Sequence, residues 1–243
     1  QLETGNALTP VEALNQVPGV LMHHGTLNTN RLTIRGIGSR TPYATNKIKA
    51  YFGEIPLTSG DGETTLEDLE NHAIKRVEII KGPSSSLFGA GLGGVILFHP
   101  KTVKKNFVQN RTTVASFGTV KNSLSAGFSQ KKLNIFALGS LLKSDGYREN
   151  NSTNRANILI NSVYDISEDL DLQVLLKATK MKAFIPSSLD ETTFNENPQQ
   201  AAANWKGAEG YEDYLTGQFG ISLNYYTRQI DKYSFATFGS FRN

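Results

Sequence analysis

The sequence predicts a mixed α+β region followed by a series of antiparallel β-strands of the kind that crosses a membrane as a barrel. Three observations support this fold class. Before Lys101 the elements are short, and helical and strand patterns are mixed. After Lys105 apolar and polar residues alternate with a period of two. The connections between these alternating segments are short and long in turn, as they are in outer-membrane barrels.

Composition excludes several classes of protein. The 243 residues include no cysteine, which rules out a disulfide framework, a cysteine-based zinc site and a cysteine nucleophile. Lysine and arginine number 25 against 22 acidic residues, and the net charge of +3 is spread along the chain. We therefore expect no nucleic-acid interface. The best apolar run, 95–98, is far shorter than the ~18 residues of a membrane helix.

The first part of the chain contains short elements of mixed type. Thr9, Pro10 and Glu12 have the pattern of a capping box, which predicts a helix that runs to Asn15 and ends before Pro18. The patterns that follow predict strands at 31–35, 47–52, 77–80 and 95–98, and a helical turn at 66–71.

The second part predicts seven antiparallel strands with one polar face. Between Leu170 and Ala178, for example, one face is wholly apolar and the other carries Asp171, Gln173 and Lys177. Such strands are too weakly apolar for a parallel sheet that is buried on both faces. The seven segments are about 107–117, 121–129, 133–143, 155–165, 170–183, 212–228 and 233–242.

The connections favour a membrane barrel over a soluble β-sandwich. Short polar turns at 129–132, 167–169 and 229–232 alternate with long loops at about 144–154 and 184–211. Seven strands cannot close a barrel, so we expect the chain to be a piece of a larger one. Aromatic side chains near strand ends resemble a membrane girdle: Tyr225, Tyr226, Tyr233, Phe235, Phe238 and Phe241.

Six motifs in a fixed order carry a resemblance to a known family. They are VPGV (17–20), LTIRGIG (32–38), GEIPL (53–57), RVEIIKGP (76–83), SLFG (86–89) and GGVI (93–96). Over about residues 8–102 this series resembles the plug domain of TonB-dependent outer-membrane receptors. The resemblance implies a mixed α+β plug domain, residues 1–104 and incomplete at its N-terminus, that fills a 22-stranded barrel. Residues 105–243 would then be the first transmembrane barrel strands, about seven of the expected 22.

A nucleotide-binding loop is the main competing interpretation of the glycine-rich segment. Residues 89–94 match G-x-G-x-x-G, but that motif needs a strand before it and a helix after it. Here a strand at 95–98 is predicted to follow, so no helix N-terminus is available for a pyrophosphate. We therefore expect no nucleotide and no other cofactor.

The resemblance implies a transporter of the Gram-negative outer membrane rather than an enzyme. Such receptors bind a ferric siderophore or similar iron chelate and import it with energy from the inner-membrane TonB complex. Import of a vitamin or a glycan, or a soluble carbohydrate-binding β-domain, are the alternatives. No catalytic cluster is visible, and the adjacent His23 and His24 lack the spacing of metal ligands. Outer-membrane lipid and the barrel assembly machinery are further expected partners.

The resemblance also indicates candidate site residues. Arg35 and Lys81 are expected to face the barrel wall and pair with acidic residues beyond residue 243, holding the plug in place. Ligand contacts are expected at the tips of the plug and in the two long loops, where Arg40 and Arg148 would suit an anionic chelate. The full set of expected ligand contacts is Arg40, Thr41, Tyr43, Thr45, Thr58, Asp61, Arg148 and Trp205.

The resemblance sets expectations about the extent of the chain. The family's TonB-binding segment lies upstream of the helix at Pro10, so we expect it outside this sequence. About fifteen further strands would be needed to close the barrel. The 243 residues are therefore expected to be about one third of a transporter.

Overall fold

A computed structural model describes residues 8–26, 29–39, 45–58, 64, 66, 68–89, 91–227 and 231–243. The strands form three sheets, with two, four and seven strands. The smaller two belong to the first hundred residues, and the third contains every strand that follows. No helix within these residues is long and apolar enough to cross a membrane.

The first elements are a short helix and a hairpin. Helix α1 spans Val11–Asn15, as predicted, but the capping box was wrong. Pro10 is the N-cap residue and no side chain caps it, while the Thr9 carbonyl accepts a buried hydrogen bond from Asn71 Nδ2 at 3.0 Å. Strands β1 (Val20–Thr26) and β2 (Thr29–Ile34) pair antiparallel, and β1 was not predicted.

The four-stranded sheet has the order β4-β3-β6-β5. Its strands are β3 (Ile48–Phe52), β4 (Ile55–Pro56), β5 (Ile74–Lys81) and β6 (Gly94–Pro100). The central pair, β3 and β6, is parallel and buried, which fits their nearly unbroken apolar sequences. Gly94 has φ +134°, and a Cβ there would lie 2.2 Å from the Ile80 carbonyl oxygen, so only glycine permits this approach of β5 to β6.

Two short elements differ from the sequence-based expectation in this region. The predicted helical turn at 66–71 is a 3₁₀ turn at Asn71–Ala73 instead, and a single helical turn, α2, spans Ser85–Phe88. The 3₁₀ turn begins after Glu70, whose backbone is extended at φ −95° and ψ 116°. Glu70 is therefore placed at a bend between the turn and the preceding segment.

The seven predicted strands are confirmed, each to within about two residues at either end. They pair in chain order as one antiparallel meander, β7 to β13. Their bounds are β7 Phe107–Ala115, β8 Thr119–Gln130, β9 Leu133–Ser144, β10 Thr153–Asp165, β11 Leu170–Phe184, β12 Tyr211–Tyr226 and β13 Lys232–Arg242.

The wall formed by β7–β13 has its polarity reversed relative to a soluble protein. On β8 the side chains that face the first sheets are Thr119, Lys121, Ser123 and Ser125, all buried. The opposite, outward face is apolar and exposed, with Leu124 at 52%, Leu141 at 66% and Ile158 at 59%. Large exposed apolar surfaces of this kind mark a contact with lipid or another apolar partner. A soluble sandwich would bury this face instead.

The inner face of the wall shares a hydrophobic core with the first hundred residues. Phe136, Leu138, Leu159 and Leu175 from β9–β11 belong to the same buried cluster as Phe52, Phe98 and the other apolar residues of the four-stranded sheet. The small sheets therefore pack against the inner face of the wall.

The two ends of the wall differ in their connections. At the loop end, 145–152 and 185–210 are long, and the latter contains α3 (Glu191–Glu196) and α4 (Ala203–Gly207). The connection 116–118 is short but lies at this same end, because the Asp145 amide donates to the Phe117 carbonyl at 3.0 Å. At the opposite, turn end, the connections 131–132 and 166–169 are short.

Candidate functional site

A buried carboxylate joins the first sheets to the wall. Glu70 is 2% exposed, and its Oε2 lies 2.7 Å from Lys121 Nζ on β8. Its Oε1 accepts hydrogen bonds from Ser140 Oγ on β9 at 2.8 Å and from Asn157 Nδ2 on β10 at 2.7 Å. Arg155 Nη2, also on β10, is 3.7 Å from the same oxygen. One carboxylate therefore contacts three successive strands of the wall.

The sequence brings these groups together by simple local rules. The 3₁₀ turn is held by the Asn71–Thr9 bond and by the Ala73 amide, which donates to the Glu70 carbonyl at 2.9 Å. The partners lie on the inward face because they occupy alternate positions of their strands. Lys121 and Arg155 are each two residues from the loop end of their strands, so the cluster lies near that end.

Glu70 remains ionised despite its burial. Burial alone raises the pKa of its carboxyl group, but the charges of Lys121 and Arg155 and the hydrogen bonds from Lys121 and Ser140 outweigh that effect. The pKa of Glu70 is therefore below its ordinary value. A carboxylate that is desolvated and multiply bonded in this way is held far more firmly than an exposed ion pair.

A second contact links β4 and the turn before it to strands β12 and β13. Gln218 Nε2 donates to the Pro56 carbonyl, and Lys232 pairs with Glu54. Gly220 leaves room for Ile55, since a Cβ at that position would lie 2.4 Å from Ile55 Cδ1. This contact and the Glu70 cluster hold the first sheets at two separate parts of the wall.

The predicted pairing residues, Arg35 and Lys81, do not contact the seven strands through an ion pair within the described residues. Arg35 is exposed, with φ +51°, and Lys81 Nζ donates to the Pro18 carbonyl at 2.6 Å. Their pairing was predicted with acidic residues beyond residue 243, so it stays a prediction. The ionic contact to β8 and β10 is made by Glu70 instead.

The predicted ligand contacts in the first hundred residues divide into two groups. Arg40, Thr41, Tyr43 and Asp61 lie outside the described residues. Thr45 is 2% exposed, and its Oγ1 accepts a hydrogen bond from the Lys47 amide at 3.1 Å. Thr58 Oγ1 lies 2.8 Å from Thr64 Oγ1. These contacts are internal, so direct ligand binding by Thr45 and Thr58 stays a prediction that their environment does not favour.

The predicted loop contacts, Arg148 and Trp205, organise the loop end of the wall. The Arg148 guanidinium donates to the carbonyls of Ser187, at 2.5 Å, and Gln200, at 2.8 and 3.0 Å. Trp205 on α4 packs over Gly210, where a Cβ would lie 2.0 Å from the indole Cε3. Contact of either residue with a ligand stays a prediction.

Neighbouring residues reinforce this connection between the loops. Asn150 Nδ2 donates to the carbonyls of Ile185 and Gly210 at 2.9 and 3.0 Å. The Lys206 ammonium lies 2.9 Å from Glu149 Oε1 and, through this hydrogen bond, lowers the pKa of the Glu149 carboxyl group. The loops 145–152 and 185–210 therefore form one joined cap, which we call the loop clamp.

Sequence reasoning missed Glu70, although two signals pointed to it. Acidic residues recur between Leu66 and Glu70 in an otherwise apolar segment that leads into β5. Lys121 and Arg155 are basic residues on the inward face of strands whose other inward residues are mostly small or neutral. The sequence therefore offers an acid before β5 and two bases on the polar face of the strands, but it shows neither their burial nor their proximity.

The site offers charge pairing rather than catalytic or metal chemistry. Across the ranges that the structure describes, no group of three or more histidine, aspartate or glutamate side chains is placed to hold a metal ion. The buried polar groups are hydrogen-bond and ion-pair partners of one another, which suits a structural contact between two parts of the chain.

Comparisons with known proteins agree with this architecture. Residues 1–95 match the family model described as the TonB-dependent Receptor Plug Domain. The hemin receptor of Yersinia enterocolitica is 23% identical over an alignment of 242 positions, which covers 93% of this chain and 33% of that protein. The vitamin B12 transporter BtuB of Vibrio vulnificus is 27% identical over an alignment of 157 positions, which covers 62% of this chain and 24% of that protein.

A solved structure gives the same result for the fold. The ferric citrate transporter FecA in its unliganded form matches with a TM-score of 0.77 and 17% identity, covering 96% of this chain and 37% of that one. The chain thus spans between 24% and 37% of the length of these proteins, all of which are receptors or transporters by name.

Proposed function

We propose, from the premise that this chain carries the plug domain of a TonB-dependent outer-membrane receptor and the first strands of its barrel, that the protein imports an iron chelate across the outer membrane of a Gram-negative bacterium. The observation on which this proposal rests is the reversed polarity of the wall. Its outward face is apolar, and its polar inward face encloses the plug.

The domain organisation forms part of the proposal. Residues 1–104 would be the plug domain and residues 105–243 the first seven strands of a barrel of about 22. The plug and the wall share one hydrophobic core. The boundary between them therefore separates two functional roles and not two independently packed cores. A plugged lumen requires energy to open, which the family's inner-membrane TonB complex would supply. The barrel assembly machinery would be a partner during insertion.

An iron chelate is favoured as the cargo because two proteins that align with more than nine tenths of this chain are named for iron compounds. These are the hemin receptor and the ferric citrate transporter. The match to a vitamin B12 transporter keeps a vitamin as the second candidate. A glycan is a third candidate. A soluble carbohydrate-binding domain is disfavoured by the exposed apolar face of the wall.

The ligand would bind at the loop end, between the plug tips and the loop clamp. Arg40, Thr41, Tyr43 and Asp61 are the proposed direct contacts on the plug. Arg148 would act by holding the loops together, since its guanidinium is already bonded to Ser187 and Gln200. The buried Glu70 cluster would keep the plug seated against β8–β10 while the ligand is bound.

Binding of a panel of cargo molecules to the full-length receptor tests this proposal. Ferric citrate, a ferric hydroxamate, hemin, cyanocobalamin and a maltooligosaccharide would be titrated by calorimetry. We expect an iron chelate to bind, and Arg40→Ala to weaken its binding by about tenfold or more through loss of a charge-assisted contact. Lys105→Ala, which removes an exposed charge from the linker before β7, is the matched control.

Two outcomes would contradict separate parts of the proposal. Binding of cyanocobalamin or the oligosaccharide without any iron chelate would refute the iron assignment. An unchanged chelate affinity in Arg40→Ala would refute the placement of the site at the plug tip.

A further inference from the structure

The outward face of the wall carries charge at one end only. Its charged residues are Lys143 on β9, Lys180 and Lys182 on β11, and Asp213 on β12. All four lie near the loop end of their strands. Across β7–β13, which the structure describes in full, the other outward positions are uncharged.

Lys143, Lys182 and Asp213 lie in one row across the strands, and Asn154 belongs to the same row. The strand registers pair Lys143 with Asn154, Asn154 with Lys182, and Lys182 with Asp213. Neighbouring strands lie about 4.8 Å apart, so the Cα atoms of Lys143 and Lys182 are roughly 10 Å apart with Asn154 between them. Lys143, Asn154 and Lys182 are all exposed. We call Lys143, Asn154 and Lys182 together the lysine row.

The charge of the row is only partly neutralised by the protein. Lys180 pairs with Asp213, and the two side chains remain 57% and 36% exposed. Lys182 Nζ lies over the rings of Tyr211 and Phe184, at 4.7 and 5.4 Å from their centroids. These rings orient the ammonium without cancelling its charge. Lys143 and Lys182 therefore leave two positive charges, with the Asn154 amide between them.

The position of the row matches the boundary of a hydrocarbon layer. Toward the turn end, the next large apolar side chains on the outward face are Leu141, Ile158 and Leu176, at 66%, 59% and 47% exposure. The row is about 7 Å beyond Leu141 along its strand, since two residues span that distance. Its side chains point sideways from the wall, away from both the lumen and the plug.

The asymmetry between the two ends argues against a general need to place lysines at an interface. Lysine side chains can extend to either surface of a membrane, so interfacial anchoring alone would allow them at both ends. At the turn end the outward residues are apolar or aromatic, such as Leu133, Tyr164, Leu170, Tyr225 and Tyr233. The outward lysines are therefore restricted to the end of the wall that would face one leaflet of the membrane.

We propose that the lysine row binds the phosphate group of an anionic lipid in the leaflet at the loop end of the barrel. Two ammonium groups and one amide supply donors to the phosphate oxygens, and the lipid chains lie along Leu141 and Ile158. This inference rests on the proposed membrane position of the wall, but not on the identity of the cargo.

Lipid binding to the full-length receptor in detergent tests the lysine row. Native mass spectrometry would compare phosphatidic acid with phosphatidylcholine of the same chains, in which choline masks the phosphate. We expect phosphatidic acid to bind more tightly, and the double variant Lys143→Gln/Lys182→Gln to weaken its binding by about tenfold or more. Lys143→Arg/Lys182→Arg, which keeps both charges, should retain binding.

Two controls distinguish binding at the lysine row from binding elsewhere on the receptor. Lys104→Gln/Lys105→Gln removes two exposed charges outside the row and should leave phosphatidic acid binding unchanged. Inorganic phosphate should not compete at equal concentration, because it lacks the lipid chains. Equal binding by the Gln double variant, equal binding of phosphatidylcholine, or full competition by phosphate would each overturn the proposal. Chelate binding by the Gln double variant should be unchanged, so this proposal and the proposed function fail independently.

Discussion

At the scale of single residues, Glu70 shows how one buried charge can be tolerated. An ionised carboxylate without partners would be strongly destabilising in this environment. Here Lys121, Ser140 and Asn157 lie within 2.8 Å of its oxygens, and Arg155 adds a second positive charge. Its contribution is therefore best measured by removing the charge while keeping the shape.

Replacing the charge of Glu70 should destabilise the seating of the plug. Glu70→Gln leaves Lys121 and Arg155 buried without a counter-charge, which typically costs about 3–5 kcal/mol. A urea titration of the receptor, followed by the fluorescence of a label attached to the plug, would measure this loss. Glu78→Gln is the matched control, because its pair with Arg76 is exposed and should contribute less than about 1 kcal/mol. Equal losses in the two variants would refute the role of burial.

Acid should weaken the same contact. The pKa of Glu70 is lower in the folded protein than in the unfolded chain, where it is about 4.3. The stabilisation from this difference is therefore complete at neutral pH and is lost as the pH falls below about 4.3 and through the folded-state pKa. Unfolding midpoints measured between neutral and strongly acidic pH should fall less steeply in Glu70→Gln than in the wild-type receptor. Parallel pH profiles would contradict this assignment.

At the scale of elements, the loop clamp makes two long connections behave as one. Arg148 and Asn150 from the loop 145–152 donate to carbonyls at both ends of the loop 185–210. Backbone carbonyls of long loops otherwise bond to water, so these contacts replace solvent with fixed partners. The short helices α3 and α4 are thereby held in a defined position.

Loss of Arg148 should release the longer loop. Arg148→Ala removes three hydrogen bonds to Ser187 and Gln200, so amide hydrogen exchange across 185–202 should accelerate by about tenfold or more. Lys206→Ala, which breaks only the exposed pair with Glu149, should cause a much smaller change. Unchanged exchange in Arg148→Ala would show that the clamp is held by other contacts.

At the scale of the whole molecule, the wall and the plug share one core while the wall exposes its apolar face outward. Inward polar residues of β8–β10 are buried, and Lys121, Ser140 and Asn157 among them contact Glu70 of the plug. The outward leucines and isoleucines have no such cover from this chain. Lipid is the environment in which both faces are satisfied.

A charged substitution on the outward face distinguishes lipid from water. Ile158→Arg should cost about 2–4 kcal/mol in a bilayer, because Ile158 lies four residues, roughly 13 Å, from the lysine row along β10 and so near the middle of the apolar band. The yield of folded receptor in vesicles, measured across a urea series, would report this cost. Phe194→Arg in α3 is the control, since Phe194 is 59% exposed but belongs to a loop in water. A neutral Ile158→Arg variant would favour the soluble alternative.

The predictions from sequence succeeded where the pattern is local and failed where contacts are distant. Alternation placed all seven strands of the wall, because a period of two follows from the pleat itself. The capping box failed because the N-cap is Pro10, one residue later than predicted, and proline has no side-chain acceptor. Thr9 is held instead through its carbonyl by Asn71, which is remote in sequence. Arg148 was expected to meet a ligand, yet its charge alone could not show that carbonyls from another loop surround it.

The sequence by itself determined the fold class, the order of the strands and the family resemblance of the plug, since these depend on periodicity and on motifs read along the chain. It did not reveal that Glu70 meets Lys121 and Arg155, because those residues are 51 and 85 positions away and meet only when β8 and β10 fold over the plug. The tertiary structure also decided which face of each strand is buried. Alternation separates two faces, but only the presence of the plug makes the polar one the inside.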